Sequence, residues 1–174
     1  MRWWTKNALY DTCSLITLDK LLIERPALAR HFPKRILALE KSFSADQLRE
    51  ETVQRMQDRV THQELPPTND LATILTSAGL PKALAEVDTL IYATSVHFSL
   101  SVVTGDRQLA RAVRDAGLQV GNMAMILREL VQSNKLAASG CERLLRALAD
   151  RNELLLGSPS PTWDELEQHT FPDR

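Results

Sequence analysis

Short apolar runs alternate with helix-patterned segments along most of this chain, and that alternation leaves few folds open. Residues 7–10 read as a first strand and 101–104 and 118–120 as later ones. Residues 35–42 read as a further strand, although Leu37 with Glu40 also fits a helical turn. Helical patterns occupy 15–24, 44–60, 81–97, 107–116 and 123–133. Another short helix is capped by Asn69 or Asp70 and stopped by Gly79, and Ser139 caps a last one reaching about residue 150. The boundaries carry their own chemistry. Ser44 with Gln47 makes a capping-box pattern, Pro26 closes the first helix, and Gly117 stands where glycine ends a helix. Strands alternating with helices predict a three-layer α/β/α domain with a mostly parallel sheet.

A chain of 174 residues suits one such domain, able to bury its apolar surface without staples. That domain is assigned to residues 1–151. Residues 152–174 form a separate tail, with the breaker-rich Gly157-Ser158-Pro159-Ser160-Pro161 as linker. Thr162-Trp163-Asp164-Glu165 then opens a very short helix with a capping box. Trp163 suits docking on this chain or on a partner; a partly ordered tail fits the sequence equally well. A net charge of −1 excludes a bulk electrostatic grip on nucleic acid, so any such binding needs a local basic patch. Cys13 and Cys141 are too few for a disulfide framework or a thiolate zinc site, which makes a reduced, cytoplasmic setting the default. The opening Met-Arg-Trp-Trp-Thr-Lys-Asn does not read as a signal peptide, and no apolar run approaches the ~20 residues that span a bilayer.

Function is most visible in the acids. Asp11 follows the first strand and Asp106 follows Ser101-Val102-Val103-Thr104-Gly105. Open α/β sheets bind ligands beyond the carboxyl ends of their strands, so acids placed there are better sited for a ligand than for packing. Each also precedes a helix, and capping that helix is an ordinary role for Asp. Asp88 is expected on the inner face of the helix over 81–97, where a carboxylate must be paired, hydrogen-bonded or metal-linked. Glu86 points elsewhere and is expected at the surface. Converging acids repel one another, and a divalent cation relieves that repulsion.

Three motifs in this order resemble the PIN domains, the ribonuclease fold of VapC-type toxins and related nucleases. They are Asp11-Thr12-Cys13-Ser14-Leu15-Ile16, Asp88-Thr89-Leu90-Ile91-Tyr92-Ala93 and Val103-Thr104-Gly105-Asp106-Arg107, and the likeness spans most of residues 7–125. The resemblance implies a metal-dependent ribonuclease in which Asp11, Asp88 and Asp106 hold Mg²⁺ or Mn²⁺. It also implies a fourth acid on the helix after the second strand, six residues beyond a Ser. Counting from Ser44 gives Glu50, with adjacent Glu51 and, more weakly, Glu40 as alternatives. Cys13 departs from the Ser or Asn frequent at its position in the family.

Hard oxygen ligands select Mg²⁺ or Mn²⁺ over softer metals. His31, His62, His97 and His169 show no metal-ligand spacing and are expected as surface or packing residues. Arg107, Arg111 and Arg114 share one helix face and suit a grip on RNA phosphates; a solvated face paired with Asp115 accounts for them equally well. Arg30, Lys34 and Arg35 form a looser basic group. Aromatics make up only 5%, so RNA selectivity is expected from groove shape rather than base stacking, with Trp3 and Trp4 as the exception. As strand neighbours those two would face opposite sides.

The expected function is therefore a metal-dependent endoribonuclease acting on RNA, as the toxin of a toxin–antitoxin pair or a housekeeping nuclease. The alternative is a non-catalytic PIN-like module that binds RNA or protein, its acids serving as caps. A phosphoacceptor receiver domain would want a Lys just after a late strand, and 118–122 offers none. Expected partners are an RNA substrate, a small antitoxin protein, and a second copy docking through Leu18, Leu22 and Ile23; no membrane partner is expected.

Overall fold

Five strands of two or three residues each carry the whole architecture. The computed structural model describes residues 2–44, 46–81 and 83–171. Strands β1 (Ala8–Tyr10), β2 (Ile36–Ala38), β3 (Val60–His62), β4 (Ser101–Val103) and β5 (Val120–Gly121) form one sheet in the order β3-β2-β1-β4-β5, with every pair parallel. Parallel neighbours require crossovers, and helices supply them. Those between strands are α1 (Thr12–Glu24), α2 (Glu50–Met56), α3 (Thr68–Ser77), α4 (Glu86–Phe98) and α5 (Arg107–Asp115); α6 (Met123–Gln132), α7 (Ala138–Ala149) and α8 (Trp163–Gln168) follow β5. The expected three-layer α/β/α fold is the one observed.

Alternation along the strands divides the core into two layers. Ala8 and Tyr10 of β1, with Ile36, Ala38 and Val103, face the layer of Leu15 and Leu18 of α1, Leu127 of α6 and Leu144 of α7. Leu9 of β1, with Val102 and Val120, faces the layer of Ile91 of α4 and Leu109 and Val113 of α5. Leu9 stands opposite Leu37 on one side and Val102 on the other, so the central strand contacts apolar neighbours along both edges.

The sheet order places a topological switch between β1 and β4. The chain steps outward from β1 to β2 and β3, then crosses back to lay β4 on the other side of β1. α1 leaves β1 toward one layer and α5 leaves β4 toward the other. The resulting crevice is where doubly wound sheets bind their ligands.

Several expectations change. The helix expected over 44–60 begins only at Glu50, because Ser44 closes a 3₁₀ turn and its hydroxyl donates to the Lys41 carbonyl. It ends at Met56, and Val60 and Thr61, both β-branched, join His62 in β3, a strand absent from the sequence reading. α3 starts at Thr68 after Pro67, so neither Asn69 nor Asp70 caps it. α4 starts at Glu86 rather than at Pro81, and α7 takes Ser139 into its first turn. Ala45 and Lys82, inside two of the expected helices, and residues 172–174 of the expected tail lie outside the described residues.

Leu18 is fully buried and Leu22 packs on the core, leaving Ile23 as the exposed member of the trio expected to dimerise. Trp3 and Trp4 are not on a strand. Trp4 is fully buried, and Trp3 covers Gly121 while its indole donates to Glu129 at 2.9 Å. A Cβ on Gly121 would meet the Trp3 ring at 2.5 Å, so glycine is required by that close approach. Burial takes the Trp4 indole out of reach of base stacking, whereas Trp3 is only partly buried. The tail is likewise part of the fold: Leu166 of α8 is fully buried, and Trp163 packs on the same layer. Among the described residues no helix is long and apolar enough to cross a membrane.

An ion pair buried only at its Asp19 end fastens α2 to α1. Asp19 accepts from Arg55 at 2.9 Å (Nε) and 2.6 Å (Nη2), and from the Thr52 hydroxyl at 3.0 Å. Arg55 is about half exposed, which screens the pair, whereas Asp19 is buried. Replacing Asp19 by Ala strands the Thr52 hydroxyl and empties the pocket, and should cost about 1–3 kcal/mol. Urea unfolding with an unchanged m-value is the measurement; a loss below about 0.5 kcal/mol would assign the fastening to apolar packing alone.

Candidate active site at the carboxyl edge of the sheet

The edge is stitched around one hydroxyl. Thr104, fully buried at the end of β4, donates from Oγ1 to Asp11 Oδ2 at 2.5 Å and accepts the Asp106 backbone N–H at 2.9 Å. Asp11 Oδ2 also accepts from the Gly105 N–H at 3.3 Å, and Oδ1 accepts from the Ser14 N–H at 2.6 Å, capping α1. The Ser14 hydroxyl donates to the Val103 carbonyl at 3.0 Å. Thr104 is thus the physical content of the Thr-x-Asp motif, since one side chain positions both acids.

Asp106 caps α5, its Oδ1 accepting from the Leu109 N–H at 2.7 Å. Asp88 lies in the first turn of α4, at the same edge, half-buried rather than on a fully inward face. Burial raises its carboxyl to about 6, and the negative charges of Asp11 and Asp106 push in the same direction. Burial also raises Asp11, against the hydrogen bonds from Thr104, Ser14 and Gly105 that favour its ionised form. The three expected acids therefore share one edge and act on one another. They are not clamped together: among the described residues, no three His, Cys, Asp or Glu side chains already stand in position to hold a metal ion.

Glu50 is not brought to this edge by any bond. It starts α2, exposed, and its Oε1 accepts from Gln54 one turn on. Glu51 is exposed beside it, and Glu40 lines a separate groove with His62 and Leu65. A further carboxylate whose charge reaches Cys13 is Glu153, to which no signal in the sequence pointed. Burial pushes the Cys13 thiol up to about 11, followed by the charges of Asp11, Asp88, Glu153 and Asp106. Glu153 accepts from Thr17 at 2.8 Å and pairs with Lys20 at 2.5 Å. It sits beyond α7, in a stretch with no motif, and only the packing of α7 on α1 delivers it. Cys13 is a neutral thiol in these surroundings.

The arginines divide. Arg107 lines a cleft of about 640 Å³ beside Cys13, Thr17, Gly105 and Glu153. Arg111 faces a second groove with Tyr92 and Asp115. Arg114 lies about 10 Å farther along the axis than Arg107, and its guanidinium donates to the Phe171 carbonyl at 3.0 Å, holding the tail. One continuous phosphate-gripping stripe is not formed. Lys34 and Arg35 precede β2 and so lie toward the opposite edge of the sheet. Glu86 is exposed, as expected, and pairs with Lys41. Of the histidines, His62 meets Phe43 edge-on, His97 lies 3.7 Å from Asp70, and His169 joins the cleft wall.

The fold is shared with a solved structure. The crystal structure of PAE2754 from Pyrobaculum aerophilum is similar with a TM-score of 0.52 and 15% sequence identity, over 72% of this chain and 96% of that one. At that identity the likeness speaks for the fold alone. No family model matches the chain, and no curated protein matches it.

Two predictions separate capping from charge. Asn in place of Asp106 keeps an oxygen for the Leu109 N–H and removes a like charge, so stability should stay within about 0.5 kcal/mol of wild type or rise. Asn in place of Asp11 must aim its amide at the Gly105 N–H or the Ser14 N–H, setting donor against donor, and should cost about 1–3 kcal/mol. Paired thermal melts in EDTA decide this; equal losses would mean that Asp11 does not need both oxygens. The second concerns pH. An acid raised in the folded state stabilises below its unfolded value near 4, and loses that contribution as pH rises through about 6. Asp88→Asn should therefore gain on wild type between pH 4 and 6, by of order 1 kcal/mol after screening, and hold level above pH 7. Parallel stability curves for the two proteins would show that Asp88 titrates normally.

Proposed function

We propose that this protein is a metal-dependent endoribonuclease of PIN type. The observation that carries the reading is that Asp88, on a helix 77 residues beyond Asp11 in the sequence, has its carboxyl raised first by burial and then by the charges of both Asp11 and Asp106, beside a topological switch point. Three carboxylates that share no ion pair with a basic side chain among the described residues gain from a shared cation, and their oxygens have the donor chemistry of a hard divalent ion. Asp11, Asp88 and Asp106 would hold Mg²⁺ or Mn²⁺, which when bound lowers the pKa of a water and neutralises charge on a leaving oxygen. The chain's own part is positioning. Thr104 fixes two of the acids, Asp88 enters from the opposite layer, and Arg107 stands next to Asp106 where a phosphate would lie.

A second reading is favoured by a different observation: Asp11 and Asp106 both fill capping roles, and among the described residues no three acids are pre-set for a metal. On that reading the edge is a binding module without chemistry. A toxin role with a small antitoxin partner belongs to the first reading as a biological setting, as does RNA as substrate.

With Mg²⁺ or Mn²⁺ the protein should cut single-stranded RNA, and EDTA should abolish cutting. Asp106→Asn should lower kcat by about 10²-fold or more while the helix cap and the fold remain. Glu50→Gln should leave kcat within twofold, whereas Glu153→Gln should lower it. Cleavage of mixed RNA substrates by each variant is the assay. An inert wild type with either metal selects the binding module, and full activity in Asp106→Asn would misplace the site.

A further inference from the structure

Three acids gather at the carboxyl edge of the sheet, and a group of cations gathers at the amino edge. The net charge of −1 conceals that separation. Arg35 and Arg59 stand immediately before β2 and β3, and Lys6 stands two residues before β1. The three strands are neighbours in the order β3-β2-β1, and they run in step, with Leu9 level with Leu37 and Ile36 with Val60. Neighbouring strands lie about 4.8 Å apart, so the three starts span roughly 10 Å.

A second group of cations continues that edge. Arg2 lies over the Trp4 ring at 5.4 Å and donates to the Ser133 hydroxyl at 2.8 Å, two residues before Lys135. Arg30 belongs to the last part of a 3₁₀ turn over Pro26–His31, and its Nε donates to His31 Nε2 at 3.1 Å. Nε2 therefore accepts, and the neutral ring carries its proton on Nδ1. Burial, and then the charges of Arg30, Arg2 and Lys135, hold the His31 imidazole below its usual value, which brings all three cations close to one ring. Lys34 follows three residues later and leads through Arg35 into β2.

Ordinary structural roles leave these charges unused. Cations favour the carboxyl ends of helices, which accounts for Arg30 in its turn and Lys135 beyond α6, but not for the strand starts. Among the described residues none of these cations shares an ion pair with a carboxylate. Asp58 beside Arg59 and Glu129 beside Arg2 temper the charge locally without pairing it. Lys6, Arg30, Lys34, Arg35 and Lys135 are exposed. The stretches that carry them bury their apolar side chains, Leu28, Phe32, Ile36 and Leu136. A protein partner is anchored by apolar and aromatic side chains at the centre of its interface, whereas a phosphodiester backbone needs cations alone.

We propose that the amino edge of the sheet is a binding surface for the phosphodiester backbone of a nucleic acid, held by Arg2, Arg30, Lys34, Arg35 and Lys135. Arginine forks take two phosphate oxygens at a time, and lysines act as point charges. Such contacts fix position and carry no sequence information. The surface lies across the sheet from the acids, so the inference goes beyond the ribonuclease reading and holds whether or not the chain cuts.

Binding to the full chain in EDTA separates this surface from any cutting. The probes are a labelled oligouridylate and an oligothymidylate of equal length, read by fluorescence anisotropy over a salt series. Both should bind, with affinities within about threefold of each other, and log K should fall with log salt by roughly 0.7 per phosphate contact. Gln at Arg35 and Lys135 together should weaken both several-fold and flatten the slope by roughly 1.4 at an unchanged melting temperature. By NMR, either probe should shift the backbone amides of 30–35 and 134–136 and leave those of 104–107 in place.

No binding at low salt, a wild-type slope in the double variant, or shifts confined to 104–107 would each overturn the surface. An oligoglutamate of equal length that binds as tightly and shifts the same amides would reassign it to an acidic protein segment. A preference of about tenfold or more for the ribose probe would show that the 2′-hydroxyl is read, against a grip on phosphate alone. RNA cutting in Mn²⁺ with a silent amino edge would keep the ribonuclease reading and sink this one. Binding in EDTA by a chain that cuts nothing would do the reverse.

Discussion

The hydrogen bond from Thr104 to Asp11 governs this structure. It ties β4 to the end of β1 and positions the carboxylate that caps α1, while the same hydroxyl accepts the Asp106 N–H that leads into α5. Being fully buried, Thr104 cannot trade these bonds for water, so their loss carries the full desolvation penalty of each partner. The two helices diverge to opposite layers from one hydroxyl. The crevice between them is a consequence of sheet order, and the acids in it a consequence of how each helix is capped.

Capping and ligand binding are compatible at this edge. A carboxylate has about four lone-pair sites, and capping uses some of them on Asp11 and one on Asp106. The bonds that hold these groups for the fold also hold them for a cation. Their mutual repulsion is tolerated because Asp88 yields, its proton affinity raised by burial and by its two neighbours. An apolar edge would be more stable. Keeping three acids there is the kind of local conflict that marks functional sites.

Much of this was legible in the residues. Asp11 and Asp106 announce themselves by following apolar runs, and Gly117 ends α5 with φ +79° as glycine can. The missed parts have identifiable causes. β3 has three residues and follows a helical pattern directly, so periodicity cannot separate it. The Ser44 capping box was overridden by burial of Phe43 and Leu48, which bends the segment into turns before α2 can start. Glu153 and the tail carried no local signal. One acts through its packing on Thr17 and Lys20, the other through Leu166 and Phe171, and both are long-range facts.

The central position of β1 has a temporal side. Its partner β4 lies 93 residues later in the chain, and Asp11 gains its Thr104 and Gly105 donors only from that strand. A ribosome that has made β1, α1 and β2 has made half a sheet whose inner edge is open and whose first acid is still solvated. The edge acquires its second wall when residues 101–106 emerge, Glu153 when α7 has docked, and the cleft its far side when Phe171 arrives. Long-range pairings of this kind form late and slowly. The acids of the site therefore leave the ribosome well before the pairing that joins them.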